Sequence, residues 1–188
     1  RETMYTRYDM LGSPIVNNSL RGPGQSDPKA PYDPDNRFYK RMQRLGLEPS
    51  ERSKFVAMPS IGKIPGSEIK YNIEEWDRLH SYVKDGIYGE QKNFDGSVIP
   101  GSRKKIFPSL EEYVDNVFNK LQLDKAEAPI QRAYVRSAME EYNAGLKSYM
   151  ITQDPTFSKR AAQAQQKDKA RVQAMAEDFK AKLQGAQR

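Results

Sequence analysis

The sequence predicts a mainly α fold: a small helix bundle with an extended Pro/Gly-rich N-terminal arm and a projecting C-terminal helix. From residue 72 to residue 151, apolar residues recur at steps of three and four, the period of an amphipathic helix. Such stripes are most simply buried against one another in a bundle. Eight of the twelve prolines precede residue 66, which predicts the arm. We therefore divide the chain into residues 1–71, 72–151 and 152–188.

The predicted helical core contains three segments. Asn72 and Ser109 are each followed three positions later by a glutamate, which is the pattern of a capping box at a helix start. Gly86 supplies a stop after the first segment, and the third segment follows Pro129. The expected core positions are Trp76, Leu79, His80 and Val83 in the first segment, Leu110, Tyr113, Val114, Val117, Phe118 and Leu121 in the second, and Ile130, Ala133, Tyr134, Ala138, Tyr142, Leu146 and Tyr149 in the third.

Proline and glycine dominate the N-terminal region, and each proline restricts the residue before it to extended geometry. One short helix is expected at 34–45, with Asp33 as its cap and Pro34 at its first position. Several residues before it are too apolar for an idle linker. We expect this arm to lie on another surface, either its own bundle or a neighbouring chain. Its predicted partner-binding residues are Tyr5, Tyr8, Leu11 and Ile15.

Two segments around the core have distinct expectations. Residues 85–108 contain four glycines and predict a long loop, which in a compact domain indicates binding, assembly or mobility. After Asp154, a final helix is expected whose first half has almost nothing to bury. Its second half has one apolar stripe, which predicts docking on a partner. The members of that stripe that we assign to partner binding are Val172, Met175, Phe179 and Leu183.

The composition excludes several kinds of site. The absence of cysteine excludes disulfides and thiolate metal sites. The single histidine, His80, argues against histidine-based metal binding and against a Ser-His-Asp site, and we expect it to be a hydrogen-bonded core residue. No apolar run is long enough to span a membrane. We predict no catalytic residues, no metal and no cofactor, and because the chain begins at Arg1 we expect it to be a piece of a longer protein.

Paired carboxylates are the remaining candidates for acid–base chemistry. The pairs are Glu74/Glu75, Glu111/Glu112 and Glu140/Glu141. The first two pairs stand in the first turns of predicted helices, where capping and the helix dipole explain them. Nothing in the sequence brings two pairs together. An enzyme is therefore less favoured than either a structural module or a nucleic-acid-binding module.

The positive charge is concentrated near the C-terminus. Five of the six net positive charges lie from Lys159 onward, where there are eight Lys or Arg residues and three Asp or Glu residues. Together with a basic run after Gly101, they allow an alternative function in which cations contact a nucleic-acid backbone without reading sequence. A solvated helix face is the simpler interpretation. The residues predicted to contact phosphates in the nucleic-acid alternative are Arg103, Lys104, Lys105, Lys159, Arg160, Lys167, Lys169 and Arg171.

Several separated stretches occur in a familiar order. They are Arg7-Tyr-Asp-Met-Leu-Gly-Ser-Pro-Ile, Asp33-Pro, Leu45-Gly-Leu-Glu-Pro, Pro59-Ser-Ile-Gly, Glu75-Trp-Asp-Arg-Leu and the helix from Ala128 to Asp154-Pro. This order resembles the C-terminal region of very large tailed-phage proteins, the polyvalent and internal virion proteins that are ejected with the genome. Giant virion-packaged polymerases carry regions similar to it. The resemblance spans most of residues 1–154 and does not cover the basic C-terminal helix.

The resemblance implies a non-enzymatic structural module of a phage virion protein. Its implied partners are copies of itself, other ejected proteins, or the portal and tail. Its implied location is the virion, and then the host cell interior or envelope after ejection. The family pattern supplies no catalytic residues for this region. An apolar arm, a small bundle and a projecting helix suit a chain that is built into an assembly.

Overall fold

The computed structural model describes residues 5–15, 35–47 and 69–185, with side chains described up to residue 182. Within these ranges there are five α-helices, one 3-10 turn and a two-stranded sheet, and 63% of the described residues are helical. The mainly α fold class is therefore confirmed. The elements in chain order are α1 (Arg37–Arg44), α2 (Ile73–Asp85), β1 (Ile87–Gly89), β2 (Lys104–Phe107), α3 (Leu110–Lys120), a 3-10 turn (Leu123–Lys125), α4 (Ala128–Gln153) and α5 (Phe157–Gly185).

The chain divides into two compact units. The described residues of the first unit are 5–15, 35–47 and 76–146. Those of the second unit are 69–75 and 147–185. The division falls within α2 and within α4.

Both predicted capping boxes are present. At the start of α3, the amide of Glu112 donates to the Ser109 hydroxyl at 3.2 Å, and the Glu112 carboxylate accepts from the Ser109 amide at 3.0 Å. At the start of α2, the amide of Glu75 donates to the Asn72 side chain at 2.8 Å, and the reverse bond is 2.9 Å. These reciprocal bonds satisfy amides that have no partner inside the helix. Gly86 ends α2 with a positive φ of 80°, as predicted.

The first helix is shorter than the predicted segment 34–45. It begins at Arg37, and its cap is Asn36, whose side-chain oxygen accepts a 2.7 Å hydrogen bond from the amide of Phe38. The predicted cap, Asp33, lies outside the described residues. Asparagine and aspartate are equally good caps, so residue type alone did not decide between the two positions.

Helices α1 and α3 pack together in the core of the first unit. Phe38 and Met42 of α1 and Val114 and Phe118 of α3 are almost completely buried. The predicted stripe of α3 is therefore confirmed at its centre. Leu121, at the predicted end of that stripe, is instead 51% exposed because α3 ends at Lys120.

The long helix α4 confirms the third predicted segment, but its first half buries a different face. Ile130 and Tyr134 are each 47% exposed, whereas Gln131 and Val135 are buried. Gln131 is stabilised there because its amide group donates to the carbonyl of Ala126 at 2.9 Å. The start of the predicted stripe was therefore wrong by one position. The prediction placed apolar residues in the core, whereas the buried residue is a glutamine that has hydrogen-bond partners. The buried positions of α4 are Gln131, Val135, Ala138, Tyr142, Leu146 and Met150.

Residues 85–108 contain a β-hairpin where the sequence predicted a long loop. Strands β1 and β2 pair in antiparallel register, and an isolated bridge joins Lys92 to Val98 further along the hairpin. Two of the four glycines, read from the sequence as signs of a loop, stand in tight turns: Gly96 and Gly101 have φ values of 86° and 75°. The prediction of a loop was wrong here because a glycine that closes a hairpin has the same appearance in the sequence.

The arm residues 5–15 lie on their own unit rather than standing free. The indole N–H of Trp76 donates to the carbonyl of Thr6 at 3.0 Å. The ring of Tyr8 stacks on that of His80, with centroids 4.1 Å apart. The carboxylate of Asp9 accepts hydrogen bonds from two amides of the same segment, so it folds the arm into a compact turn instead of the predicted extended chain.

Candidate functional site

The last helix, α5, begins at an acidic cap as the sequence predicts. Asp154 is fully buried, and its carboxylate accepts hydrogen bonds from the amides of Phe157 at 2.9 Å and Thr156 at 3.3 Å. Phe157 is fully buried, and its ring centroid lies 4.4 Å from that of Tyr71. The first turn of α5 is therefore anchored within the second unit. Along the first half of the helix as predicted, residues 161–170, Ala161 alone is buried, which agrees with the expectation that this half buries almost nothing.

A buried carboxylate completes this anchor. Glu75 has no exposed surface, and it accepts hydrogen bonds from the hydroxyl of Thr156 at 3.0 Å and from the guanidinium of Arg160. Arg160 also donates to the carbonyl of Lys70 at 3.0 Å. A charge taken out of water must be paired and hydrogen-bonded, and this arrangement supplies both. Arg160 is therefore a structural partner of Glu75, not one of the freely solvated cations that the nucleic-acid alternative assumed.

The second half of α5 exposes apolar side chains. Val172, Met175 and Phe179 are 44%, 60% and 63% exposed, and their spacing places them on one face of the helix. We call these three residues the α5 stripe. Leu183, the next predicted member, lies in the helix beyond the last described side chain. The structure thus presents the predicted stripe as a row of exposed apolar groups.

The remaining predicted cations of α5 are exposed but do not form one line. Lys159, Lys167, Lys169 and Arg171 all lie on the exposed part of the helix. Lys167 and Arg171 are one turn apart on the same face. Lys169 projects roughly 200° around the helix axis from Lys167, because successive residues are about 100° apart. The cations therefore surround the helix instead of following one edge.

Two of the three predicted cations of the hairpin, Arg103 and Lys105, lie near one aromatic ring. The guanidinium of Arg103 lies 4.7 Å from the ring centroid of Tyr88, and the ammonium of Lys105 lies 5.3 Å from it. Lys105 also pairs with Glu112 at 2.7 Å, and this hydrogen bond raises the pKa of Lys105 and lowers that of Glu112. Lys104 stands opposite Gly89 in the sheet and is exposed. Two of these three predicted phosphate contacts therefore already have partners in the first unit.

The arm residues that were predicted to bind a partner make contacts inside the first unit. The hydroxyl of Tyr8 donates to Asp77 at 2.7 Å, and burial together with this hydrogen bond raises the pKa of Tyr8 to about 12. Leu11 is buried, Ile15 is half-buried, and Tyr5 packs edge-on against the core tryptophan at 6.5 Å. These contacts agree with the alternative in which the arm lies on its own bundle, and partner binding by these residues stays a prediction. They leave the α5 stripe as the exposed part of that prediction.

The side chains that were considered for catalysis make structural contacts. His80 is fully buried, and its Nδ1 atom lies 2.7 Å from the carbonyl of Trp76, so the predicted hydrogen-bonded core histidine is confirmed. Glu141 accepts a 2.8 Å hydrogen bond from the hydroxyl of Tyr113. Across the described ranges, no group of three His, Cys, Asp or Glu residues is arranged to hold a metal ion. None of the described helices combines the length and the apolar character that crossing a membrane requires.

The hairpin tip carries a fully exposed aromatic residue, Phe94, that is not among the predicted site residues. Phe94 stands in a turn in which the Asn93 amide donates to the Ser97 carbonyl at 2.8 Å and the Gly96 amide donates to the Asn93 carbonyl at 3.0 Å. The carboxylate of Asp95 accepts from the hydroxyl of Ser97 at 2.6 Å, which lowers the pKa of Asp95. The tip is therefore an ordered platform for the ring. The glycine at residue 96, after Phe94 and Asp95, was the available signal of a three-residue hairpin loop.

A methionine-lined cleft was missed as well. It has a volume of about 360 Å³ and opens within the first unit. Met10 of the arm, Met42 of α1 and Met139 of α4 line it, and the exposed side chains of Arg136 and Glu140 lie beside them. The three methionines are far apart in the sequence, so no local pattern could have grouped them.

Comparison of the chain with protein-family models, with curated proteins and with solved structures finds no match. The resemblance to ejected virion proteins therefore stays a prediction.

Proposed function

We propose that this chain is a non-enzymatic assembly module of a phage virion protein of the ejected type. It acts through protein–protein contacts during particle assembly and genome delivery. Its partners are copies of itself or other virion proteins, namely ejected proteins, the portal or the tail. It resides in the virion and reaches the host cell interior or envelope after ejection.

The observation that carries this proposal is the exposed α5 stripe. Fully burying one such side chain contributes about 1.5–3 kcal/mol, so covering the exposed half of Val172, Met175 and Phe179 contributes roughly 2–4 kcal/mol. The anchored first turn supports the same role because it orders the base of the helix before any partner is met, which reduces the entropy lost on binding. A helix that presents apolar residues at steps of three and four is the usual ligand of a groove or of another helix.

The test compares two triple variants of the same helix. Val172→Gln, Met175→Gln and Phe179→Gln together remove the stripe while keeping a good helix former at each position. Ala170→Gln, Ala174→Gln and Ala181→Gln form the matched control, since these residues are exposed on the opposite face. We expect the stripe variant to lose binding to purified virion proteins in sedimentation velocity, while the control binds as the wild type does. Equal binding by both variants would contradict the proposal.

Binding to the phosphate backbone of a nucleic acid is the second candidate function. The exposed side chains of Lys167 and Arg171 favour it. Binding through such contacts weakens steeply as salt rises, because phosphate counterions are released. Fluorescence anisotropy with labelled duplex and single-stranded DNA at low salt tests it, using Lys167→Gln with Arg171→Gln as the variant. A loss of affinity in this variant, with the α5 stripe intact, would support nucleic-acid binding. The absence of any binding by the wild type would end it.

A further inference from the structure

The first unit carries both an exposed aromatic ring and a cleft that suits one. The ring of Phe94 is fully exposed at the hairpin tip, where five hydrogen bonds among Asn93, Asp95, Gly96 and Ser97 hold the turn. A phenylalanine ring in this position offers a large apolar surface, and aromatic side chains are enriched at the buried centres of protein interfaces. Its ordered support also means that little conformational freedom is lost when the ring is bound.

The cleft has the size and chemistry of an aromatic binding site. Its volume of about 360 Å³ lies at the lower end of the range of roughly 300–1,000 Å³ for sites that bind small molecules, which suits a single ring. Met10, Met42 and Met139 line it, and thioether sulfur atoms make favourable contacts with aromatic rings. Methionine is also flexible enough to adjust its shape to an inserted side chain.

The charges beside the ring match those beside the cleft. Asp95 follows Phe94 directly and Lys92 precedes it by two residues, so the tip carries one charge of each sign. The cleft has Arg136 and Glu140, which are four residues apart and therefore neighbours on α4. An inserted ring brings Asp95 toward Arg136 and Lys92 toward Glu140 in one of its two orientations, so the pairing also selects the orientation.

We infer that the hairpin tip of one copy of this chain inserts Phe94 into the methionine-lined cleft of a second copy. This contact deepens the proposed assembly function and rests on it, but it uses the hairpin and the cleft instead of the α5 stripe. Each chain carries one tip and one cleft, so two copies related by a two-fold axis make the contact twice. The self-association of the chain is then a property of the first unit.

The absence of cysteine in the chain makes the contact testable by disulfide trapping. Lys92→Cys and Met139→Cys proteins, which both keep Phe94 and the turn that supports it, are prepared separately, mixed and exposed to mild oxidant, so that only an intermolecular contact links the two variants. The control replaces Met139→Cys by Ser137→Cys, because Ser137 is exposed on the opposite face of α4. Met10→Cys provides a second cleft position should Met139→Cys fail to fold.

We expect a disulfide-linked heterodimer with the cleft cysteine and little or none with Ser137→Cys. We also expect Phe94→Ser to raise the dissociation constant of self-association at least about tenfold, as loss of a central anchor does. Equal linking at both positions, or none at either cleft position, would overturn the inference. Vesicle binding that depends on Phe94, without any cross-link, would overturn it too by assigning the tip to an anionic lipid surface. If the α5 stripe variant alone loses partner binding, the proposed function stands and this inference fails.

Discussion

Gly12 of the arm packs so closely on His80 that a Cβ atom at residue 12 would lie 2.2 Å from the His80 carbonyl oxygen. The backbone of Gly12 also has a φ of 83°, which other residues rarely adopt. The close approach leaves room only for glycine at this point of the contact between the arm and α2. This contact explains why a segment with the composition of a linker is part of the core.

We predict that Gly12→Ala lowers the free energy of unfolding by roughly 2–5 kcal/mol, because it adds a steric conflict to the cost of positive φ. Gly101→Ala is the matched control, since Gly101 also has a positive φ, but a Cβ atom added there would meet no other atom within 4 Å. It should cost roughly 1–2 kcal/mol. Urea unfolding measures both variants, and equal costs would show that the arm does not lie on α2 in solution.

The anchor of α5 leads to a second prediction. Arg160→Gln leaves the buried Glu75 carboxylate with fewer charged partners, so it should reduce the free energy of unfolding by roughly 1–3 kcal/mol. This cost is smaller than that of breaking a fully buried ion pair, because Arg160 is partly exposed. Lys159→Gln, at the exposed neighbouring position, should change it by less than about 0.5 kcal/mol. Urea unfolding followed by circular dichroism compares them. An unchanged stability in Arg160→Gln would remove the structural role that we assign to this residue.

A third prediction concerns two arginines that contact the same carboxylate. Asp115 accepts hydrogen bonds from Arg41 at 2.6 Å and from Arg37 at 2.8 Å, and the two arginine side chains are 12% and 71% exposed. Arg41 also lies over the ring of Phe118, at 4.0 Å from its centroid. Arg41→Gln should therefore destabilise by about 1–2 kcal/mol, and Arg37→Gln should destabilise much less because its ion pair is exposed to solvent. Thermal and urea unfolding test the ranking, and the reverse order would contradict the packing of α1 on α3.

The raised pKa of Tyr8 predicts a loss of stability in alkali. Its ordinary pKa is 10.0 and its folded value is about 12. Between these values the unfolded chain releases the phenolic proton before the folded chain does, so stability is intact below pH 10 and falls as pH rises through this window. Tyr8→Phe should reduce the fall, whereas Tyr134→Phe, at an exposed position, should keep it. Unfolding free energies measured across this window decide, and an unaltered slope in Tyr8→Phe would exclude Tyr8 as its source.

Local signals in the sequence were sufficient for much of the fold. The capping boxes at Asn72 and Ser109 and the stop at Gly86 depend on residues within one or two turns, and all were predicted correctly. The stripe of α3 was predicted for the same reason. The start of α4 was not, because Gln131 is buried through a hydrogen bond to Ala126 that residue polarity does not reveal.

The functional features depend on contacts that the sequence does not display. Glu75 and Arg160 are 85 residues apart, so the sequence presents one as a capping residue and the other as a free cation. The cleft needs Met10, Met42 and Met139 from three separate elements. The α5 stripe was predictable because its members share one helix, and its exposure is what the structure adds.

We propose that this chain enters a virion through the α5 stripe, and quantitative mass spectrometry of purified particles measures that incorporation. Particles are prepared with the wild-type chain, with the triple stripe variant at Val172, Met175 and Phe179, and with the Ala→Gln control on the opposite face. We predict that peptides of the wild type and of the control are found in particles at similar levels and that those of the stripe variant are strongly depleted. Undiminished incorporation of the stripe variant, or absence of the expressed wild-type chain from particles, would contradict this proposal.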